Sequence, residues 1–169
     1  DCKNTAPEEA ARILEYAKRH PQKEIGIITP FANQKDHING LLKKEKLDNV
    51  SCGTVHTFQG DQKDIILFST ALTDQTSDKT YNWLKNNREL INVATSRAVE
   101  KLVLFSSTKN LERLHRDADR DDMYELVQYI RKNGAYEVTP DEVTSRALGV
   151  KPYSTQTEEA FLVSLNHAL

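Results

Sequence analysis

Short apolar runs alternate with segments of helical periodicity along the first two thirds of the chain. Apolar positions that are nearly continuous are typical of strands buried on both faces of a sheet. Strands are therefore predicted at residues 24–29, 50–55, 64–71 and 101–106. Apolar spacing of three to four residues predicts helices at residues 31–46 and 88–98. Another helix is expected to begin at a capping box formed by Thr5 and Glu8 and to end near His20.

Alternation of strands and helices predicts an α/β fold with a mostly parallel sheet and helices on both faces. We expect a doubly wound core over residues 1–115. Sheets of this kind bind ligands at the carboxyl ends of their strands. The loops after Thr29, Val55 and Ala71 are therefore the first places to look for chemistry.

The remaining residues, 116–169, have a different pattern. Charges are dense at residues 116–122, apolar positions recur at helical spacing over residues 123–132, and a polar loop is expected earlier, at residues 73–80. A final helix is predicted at residues 155–169. We therefore expect a mainly helical extension, which could be the start of a following domain.

Composition narrows the functional classes. Apolar residues make up 38% and charged residues 28% of the 169, which is typical of a globular protein, and the formal net charge is −2. Any nucleic-acid contact must then come from a local patch. No apolar run approaches the roughly 20 residues of a membrane span. Two cysteines without metal-type spacing favour no metal site and a reducing, cytoplasmic location.

Residues 53–64 (GTVHTFQGDQKD) follow one predicted strand and lead into the next. Gly60 could let the backbone approach a phosphate and present N–H donors. Thr54, His56 and Thr57 could donate to a nucleic-acid backbone. A plain polar loop is the competing interpretation, because one glycine is a weak signal.

Two other segments carry candidate chemistry. In the helix at residues 88–98, Arg97 falls at the end of an apolar stripe, where it must extend to solvent, pair with a carboxylate or bind an anion such as phosphate. An arginine that reaches a transferring phosphoryl group can contribute about 10³ or more in rate. In residues 26–34, Phe31 could stack on a base or simply cap the core.

Three motifs in this order resemble the second motor domain of superfamily 1B helicases, the group of the nonsense-mediated-decay helicase. Residues 26–34 (GIITPFANQ) resemble motif IV, residues 54–69 (TVHTFQGDQKDIILFS) motif V, and residues 82–105 motif VI with its lead-in. The resemblance covers about residues 24–107. It implies a RecA-like domain of the P-loop NTPase type, one half of an ATP-dependent motor on single-stranded DNA or RNA.

The resemblance also implies roles for particular residues. Arg97 matches the arginine finger of motif VI and is the implied catalytic residue. Gln59, Gly60 and Gln62 match nucleotide-binding positions of motif V, although Gln62 stands where the family usually has a glutamate. Further matches to the nucleic-acid track are Thr29, Thr54 and His56. Gln34 matches a motif IV glutamine whose role stays unassigned.

The sequence contains no G-x-x-x-x-G-K-[ST] phosphate loop and no strand that ends in an Asp-Glu pair. ATP and Mg²⁺ are therefore expected to bind mainly to an N-terminal RecA-like domain of the same protein, and the chain alone is expected to be inactive. Asp1 in place of Met favours a fragment of a longer chain. The alternative is a degenerate RecA-like module with a regulatory or scaffolding role and no ATPase activity.

Overall fold

The structure is a computed structural model that describes residues 4–58, 61–138 and 160–164. A six-stranded sheet has the order β2-β1-β3-β4-β6-β5, and every pairing is parallel. The strands are β1 (Ile25–Ile28), β2 (Val50–Gly53), β3 (Lys63–Ser69), β4 (Ala98–Ser106), β5 (Ala135–Val138) and β6 (Ala160–Ser164). The helices are α1 (Pro7–Lys18), α2 (Ala32–Glu45), α3 (Asp78–Lys85), α4 (Arg88–Ser96), α5 (Thr108–Leu114) and α6 (Asp122–Asn133).

Helices cover both faces of the sheet and form two separate apolar cores. On one face α1 and α2 pack through side chains such as Ile13 and Ile38 against alternate positions of β1, β3 and β4. On the other face α3, α4, α5 and α6 pack against the remaining positions of the same strands. Strands covered on both faces read as continuous apolar runs, so the predicted α/β fold with a mostly parallel sheet is confirmed.

Some predicted elements were wrong in detail. Residues 160–164 form β6, and not a helix, because their backbone pairs with β4 on one side and β5 on the other. A short apolar run does not by itself distinguish a helix from a strand. Here the edge of β4 offers hydrogen-bonding groups, and residues 160–164 pair with them as a strand. Helix α3 begins inside the predicted loop, since Ser77 caps it by accepting from the Thr80 amide at 3.2 Å.

The expected capping box at Thr5 is also absent. Helix α1 begins at Pro7 with Ala6 as its N-cap, and no side chain caps it. The Ala6 amide instead donates to Gln34 Oε1 at 2.8 Å, so a tertiary contact fixes this end of the helix. The helix at residues 123–132 is confirmed as α6, with Met123, Val127 and Ile130 buried. Within the described part of the chain, no helix is long and apolar enough to cross a membrane.

The link from β2 to β3 crosses over β1 on the face covered by α4. It includes a 3-10 turn, Val55–Phe58, whose Val55 and Phe58 side chains are buried in the core. Phe58 packs directly on β1 at Gly26, where an added Cβ would lie 2.9 Å from the ring and 2.9 Å from Ile66 Cδ1. The crossover therefore depends on the absence of a side chain at Gly26.

Gly26→Ala is expected to lower the free energy of unfolding by about 1–3 kcal/mol, because Phe58 or Ile66 must move within a packed core. Gly40 is the matched control, since it lies mid-helix in α2 with nothing within 4 Å of an added Cβ. Gly40→Ala should stabilise the protein by about 0.5–1 kcal/mol. Urea unfolding of the three proteins measures both changes, and equal stability of Gly26→Ala and the parent would contradict the packing argument.

Candidate functional site

The carboxyl edge of the sheet places the predicted nucleic-acid residues next to one another. Thr29 follows β1 and Thr54 follows β2, and the Thr29 amide donates to the Gly53 carbonyl at 3.2 Å. Thr54 is half-buried and His56 is exposed. The Thr29 side chain is fully buried, and its Oγ1 has no partner among the described residues. Thr54 and His56 are thus accessible to a ligand at this edge, whereas Thr29 lies beneath it.

The 3-10 turn holds His56 at this edge. The Thr57 amide donates to the Thr54 carbonyl at 3.0 Å, which closes the turn. The Thr57 side chain packs on Gly53, where any Cβ would clash with it. Val55 and Phe58 are anchored in the core, so His56 between them is directed to the outside. Gly53 is therefore required by close packing at the start of the motif.

The amino edge of the sheet brings Gln62 and Arg97 together. Gln62 directly precedes β3 and Arg97 directly precedes β4, and the Lys63 amide donates to the Arg97 carbonyl at 3.0 Å. Gln62 is exposed. Gln59 and Gly60 lie outside the described residues. The candidate nucleotide-binding positions that can be located therefore lie at the edge opposite to Thr54, and not after the carboxyl ends of the strands.

Arg97 closes the last turn of α4. Its amide donates to the Val93 carbonyl at 3.2 Å, and Leu90, Val93 and Ala94 bury the inner face of the helix. The Arg97 side chain is half-buried, and its Nε has no hydrogen-bond partner within the described part of the chain. A buried donor on a charged group is costly to leave unpaired. An incoming anion is one group that would satisfy it, with the fork geometry that guanidinium offers to phosphate.

A buried polar cluster, formed by Glu9, Gln34, Ser69, Thr70 and Ser106, lies under the carboxyl edge. Glu9 Oε2 accepts from Ser69 Oγ at 2.7 Å and from the Ala71 amide at 2.9 Å. Gln34 Nε2 donates to Ser69 Oγ at 3.0 Å. The cluster ties α1 and α2 to the ends of β3 and β4, which gives Gln34 a structural role that sequence reasoning left unassigned.

Burial and the hydrogen bonds of this cluster act in opposite directions on the protonation of Glu9. Thr70 has one hydroxyl proton and two oxygen neighbours, Ser106 Oγ at 3.0 Å and Glu9 Oε1 at 3.4 Å. Because Ser106 can donate its own hydroxyl proton to Thr70, the Thr70 proton stays available for Glu9 Oε1. Burial raises the pKa of Glu9 to about 8, against the hydrogen bonds from Ser69, Ala71 and Thr70, which lower it. Glu9 is then largely protonated at neutral pH.

Glu9 also fixes the backbone that leaves β3. Ala71 has a φ of 51°, in the left-handed region that costs a non-glycine residue about 1–2 kcal/mol. Its amide is held by Glu9 Oε2, so the carboxyl group stabilises this turn of the chain toward α3. Sequence reasoning missed Glu9. The available signal was a glutamate at helical spacing from Ile13 and Tyr16, on the apolar stripe of α1.

Within the described residues, no group of three or more His, Cys, Asp or Glu side chains could hold a metal ion. The orphaned Arg97 Nε, in contrast, fits an anionic group. The described part of the chain thus offers a donor that an anion could bind, and no cluster of His, Cys, Asp or Glu side chains for a metal ion.

Comparison with known proteins identifies relatives over the same region. The AAA domain family matches residues 6–109. The RNA helicase Mov10l1 of Mus musculus is 27% identical over 78% of the chain and 12% of its own length. The DNA polymerase alpha-associated DNA helicase A of Saccharomyces cerevisiae is 34% identical over 55% of the chain and 13% of its own length. The ATP-dependent helicase NAM7 of the same yeast is 32% identical over 54% of the chain and 10% of its own length. The chain therefore spans a small part of these relatives.

The Glu9 pKa predicts a pH dependence of stability. Because the folded pKa, about 8, lies above the ordinary value of 4.5, the contribution of Glu9 is full below about pH 4.5 and is lost as the pH rises through about 8. The contribution of Glu9 to the free energy of unfolding should fall by about 1 kcal/mol per pH unit within this window. Glu9→Gln mimics the neutral acid and should remove this slope. The stability of the variant relative to the parent should therefore increase as the pH rises.

Urea unfolding at several pH values between 5 and 8 tests this expectation. Glu15→Gln is the control, because Glu15 is an exposed residue of the same helix that pairs with Arg12 at the surface. Its profile should follow that of the parent. A Glu9→Gln profile parallel to the parent profile would show that Glu9 is ionised in the folded protein.

Proposed function

The chain belongs to the AAA domain family and is a RecA-like domain of a superfamily 1B helicase, and we propose that it is the C-terminal motor half of an ATP-dependent helicase or translocase that acts on single-stranded nucleic acid. In this proposal the chain supplies an arginine finger and part of the nucleic-acid track. An N-terminal RecA-like domain of the same protein supplies the phosphate loop, so the chain alone is inactive.

The observation that carries this proposal is the buried Nε of Arg97, which has no hydrogen-bond partner among the described residues. Helix α4 is anchored by its apolar face and by Asn87, whose side chain accepts from the Leu90 amide at 3.2 Å. The Arg97 carbonyl is bound to the Lys63 amide. Backbone and helix are thus fixed while the guanidinium keeps an unused donor, as expected of a group whose anion arrives from another domain. In the assembled motor, Arg97 would stabilise the negative charge on the phosphoryl group that is transferred from ATP to water.

We propose that the nucleotide lies at the amino edge. Gln62 is exposed beside Arg97 and can donate to or accept from a ribose hydroxyl, although it lacks the charge of the usual glutamate. Gln59 and Gly60 are proposed to contact the nucleotide from the same crossover. Bound ATP and Mg²⁺ supply the phosphoryl group and its charge neutralisation. Gln62 would orient the ribose, and Arg97 would place its positive charge beside the phosphates.

The nucleic-acid track is proposed to follow the carboxyl edge. Thr54 and His56 are accessible there and can donate to phosphate oxygens. Helix α2 begins at the same edge with no side-chain cap at Phe31 and no acidic residue in its first turn, so its first amides favour an anion. Thr29 is proposed to support this edge from beneath. Because the relatives include an RNA helicase and a DNA helicase, the proposal is compatible with either single-stranded RNA or single-stranded DNA as the track.

Arg97→Ala in the full-length protein is expected to lower strand-stimulated ATP hydrolysis by about 10²-fold or more while nucleotide binding is retained. The control is Arg88→Ala in the same helix, because Arg88 is 57% exposed and forms a surface ion pair with Asp122. This control should hydrolyse ATP as the parent does. Rates are measured with and without single-stranded DNA or RNA.

Unchanged hydrolysis in Arg97→Ala would make Arg97 a structural residue and remove the main support for the motor function. Absence of ATPase activity in the full-length parent, with every strand tested, would favour a regulatory or scaffolding module instead.

A further inference from the structure

Trp83 is an apolar side chain left on the surface. It is the sole tryptophan of the chain, and 51% of it is exposed. Other residues of α3 pack into the core, since Tyr81 and Leu84 are fully buried. An indole ring that packed inward would remove a large apolar area from water. Helix α3 is therefore anchored by other side chains, which leaves the exposed part of the Trp83 ring available for another partner.

Phe31 connects Trp83 to the carboxyl edge. The two ring centroids are 5.8 Å apart, with the ring planes inclined by 42°. Phe31 is only 8% exposed and packs with Ala6 and Ala71, so it caps the core and does not itself present a face to a base. Its burial makes it a rigid support for Trp83. The exposed ring thus lies beside the first turn of α2, where the proposed track passes.

The charges around Trp83 suit a polyanion. Lys79 lies one helical turn before Trp83, on the same side of α3, and forms no ion pair within the described part of the chain. Asp78, the acidic residue of this turn, is paired with Arg116 at 3.2 Å. A cation is therefore available one turn away from an exposed aromatic ring, which is the combination that binds single strands without sequence preference.

We propose that Trp83, supported by Phe31, is a stacking platform for one base of the single strand, and that Lys79 contacts an adjacent phosphate. The inference rests on the proposed function and assigns a role to Trp83, which lies in the lead-in to motif VI and to which the resemblance gives no role. Stacking on an aromatic ring does not depend on the identity of the base, so the platform would hold the strand while the motor advances along it.

The test compares affinities of the full-length protein for an oligothymidine and an oligouridine, and for an abasic strand of equal length, by fluorescence anisotropy. Trp83→Ala is expected to weaken binding to the base-containing strand by about 5- to 150-fold. Its affinity for the abasic strand should equal that of the parent. Trp83→Phe should restore most of the lost affinity, because phenylalanine also stacks.

Tyr129→Ala is the matched control, since Tyr129 is an aromatic residue of α6 that is 63% exposed and outside the proposed track. It should change neither affinity. Equal binding of the base-containing strand by Trp83→Ala and the parent would overturn the platform alone. Equal losses on both strands would also overturn it, because they would indicate a structural role. Failure of the parent to bind any strand would overturn the proposed function together with the platform.

Discussion

The contact between the Phe58 ring and β1 at Gly26 is the constraint on which the candidate site depends. The segment from β2 to β3 must pass over β1, and the missing side chain at Gly26 provides the space for Phe58. This contact anchors the 3-10 turn, with His56 exposed at the carboxyl edge. The same segment reaches Gln62 and β3 at the amino edge. One buried ring therefore fixes a link between the two edges at which ligands are proposed to bind.

The buried cluster around Glu9 gives the carboxyl edge its rigidity. Its hydrogen bonds join two helices on one face to the ends of two central strands, and they hold Ala71 in a left-handed conformation. The chain that leaves Ala71 leads to α3 and so to Trp83. A neutral carboxyl group avoids the cost of a buried charge and still accepts the hydrogen bonds of this cluster. The Glu9 cluster and the exposed ring of Trp83 are consequently connected through the turn at Ala71.

The fold was predictable because strands buried on both faces leave a clear apolar pattern, as in β3 and β4. The resemblance to three motifs identified Arg97 and His56 as candidate site residues. Neither the apolar pattern nor the motifs indicated that these two residues lie at opposite edges of the sheet. That separation follows from the parallel register. Glu9 and Trp83 were missed because burial of a carboxyl group and exposure of an indole are tertiary outcomes. The strand at residues 160–164 was missed because its pairing partners decide it.

Two edges that serve different ligands, joined by the crossover that Phe58 anchors, are the arrangement proposed for this domain. Amide hydrogen exchange of the full-length protein tests it most directly. A single strand alone should slow exchange at residues 31–33 and 54–57, and a nonhydrolysable ATP analogue with Mg²⁺ should slow it at residues 61–63 and 97–98. Protection of the same edge by both ligands, or of the two edges in the opposite assignment, would contradict the account.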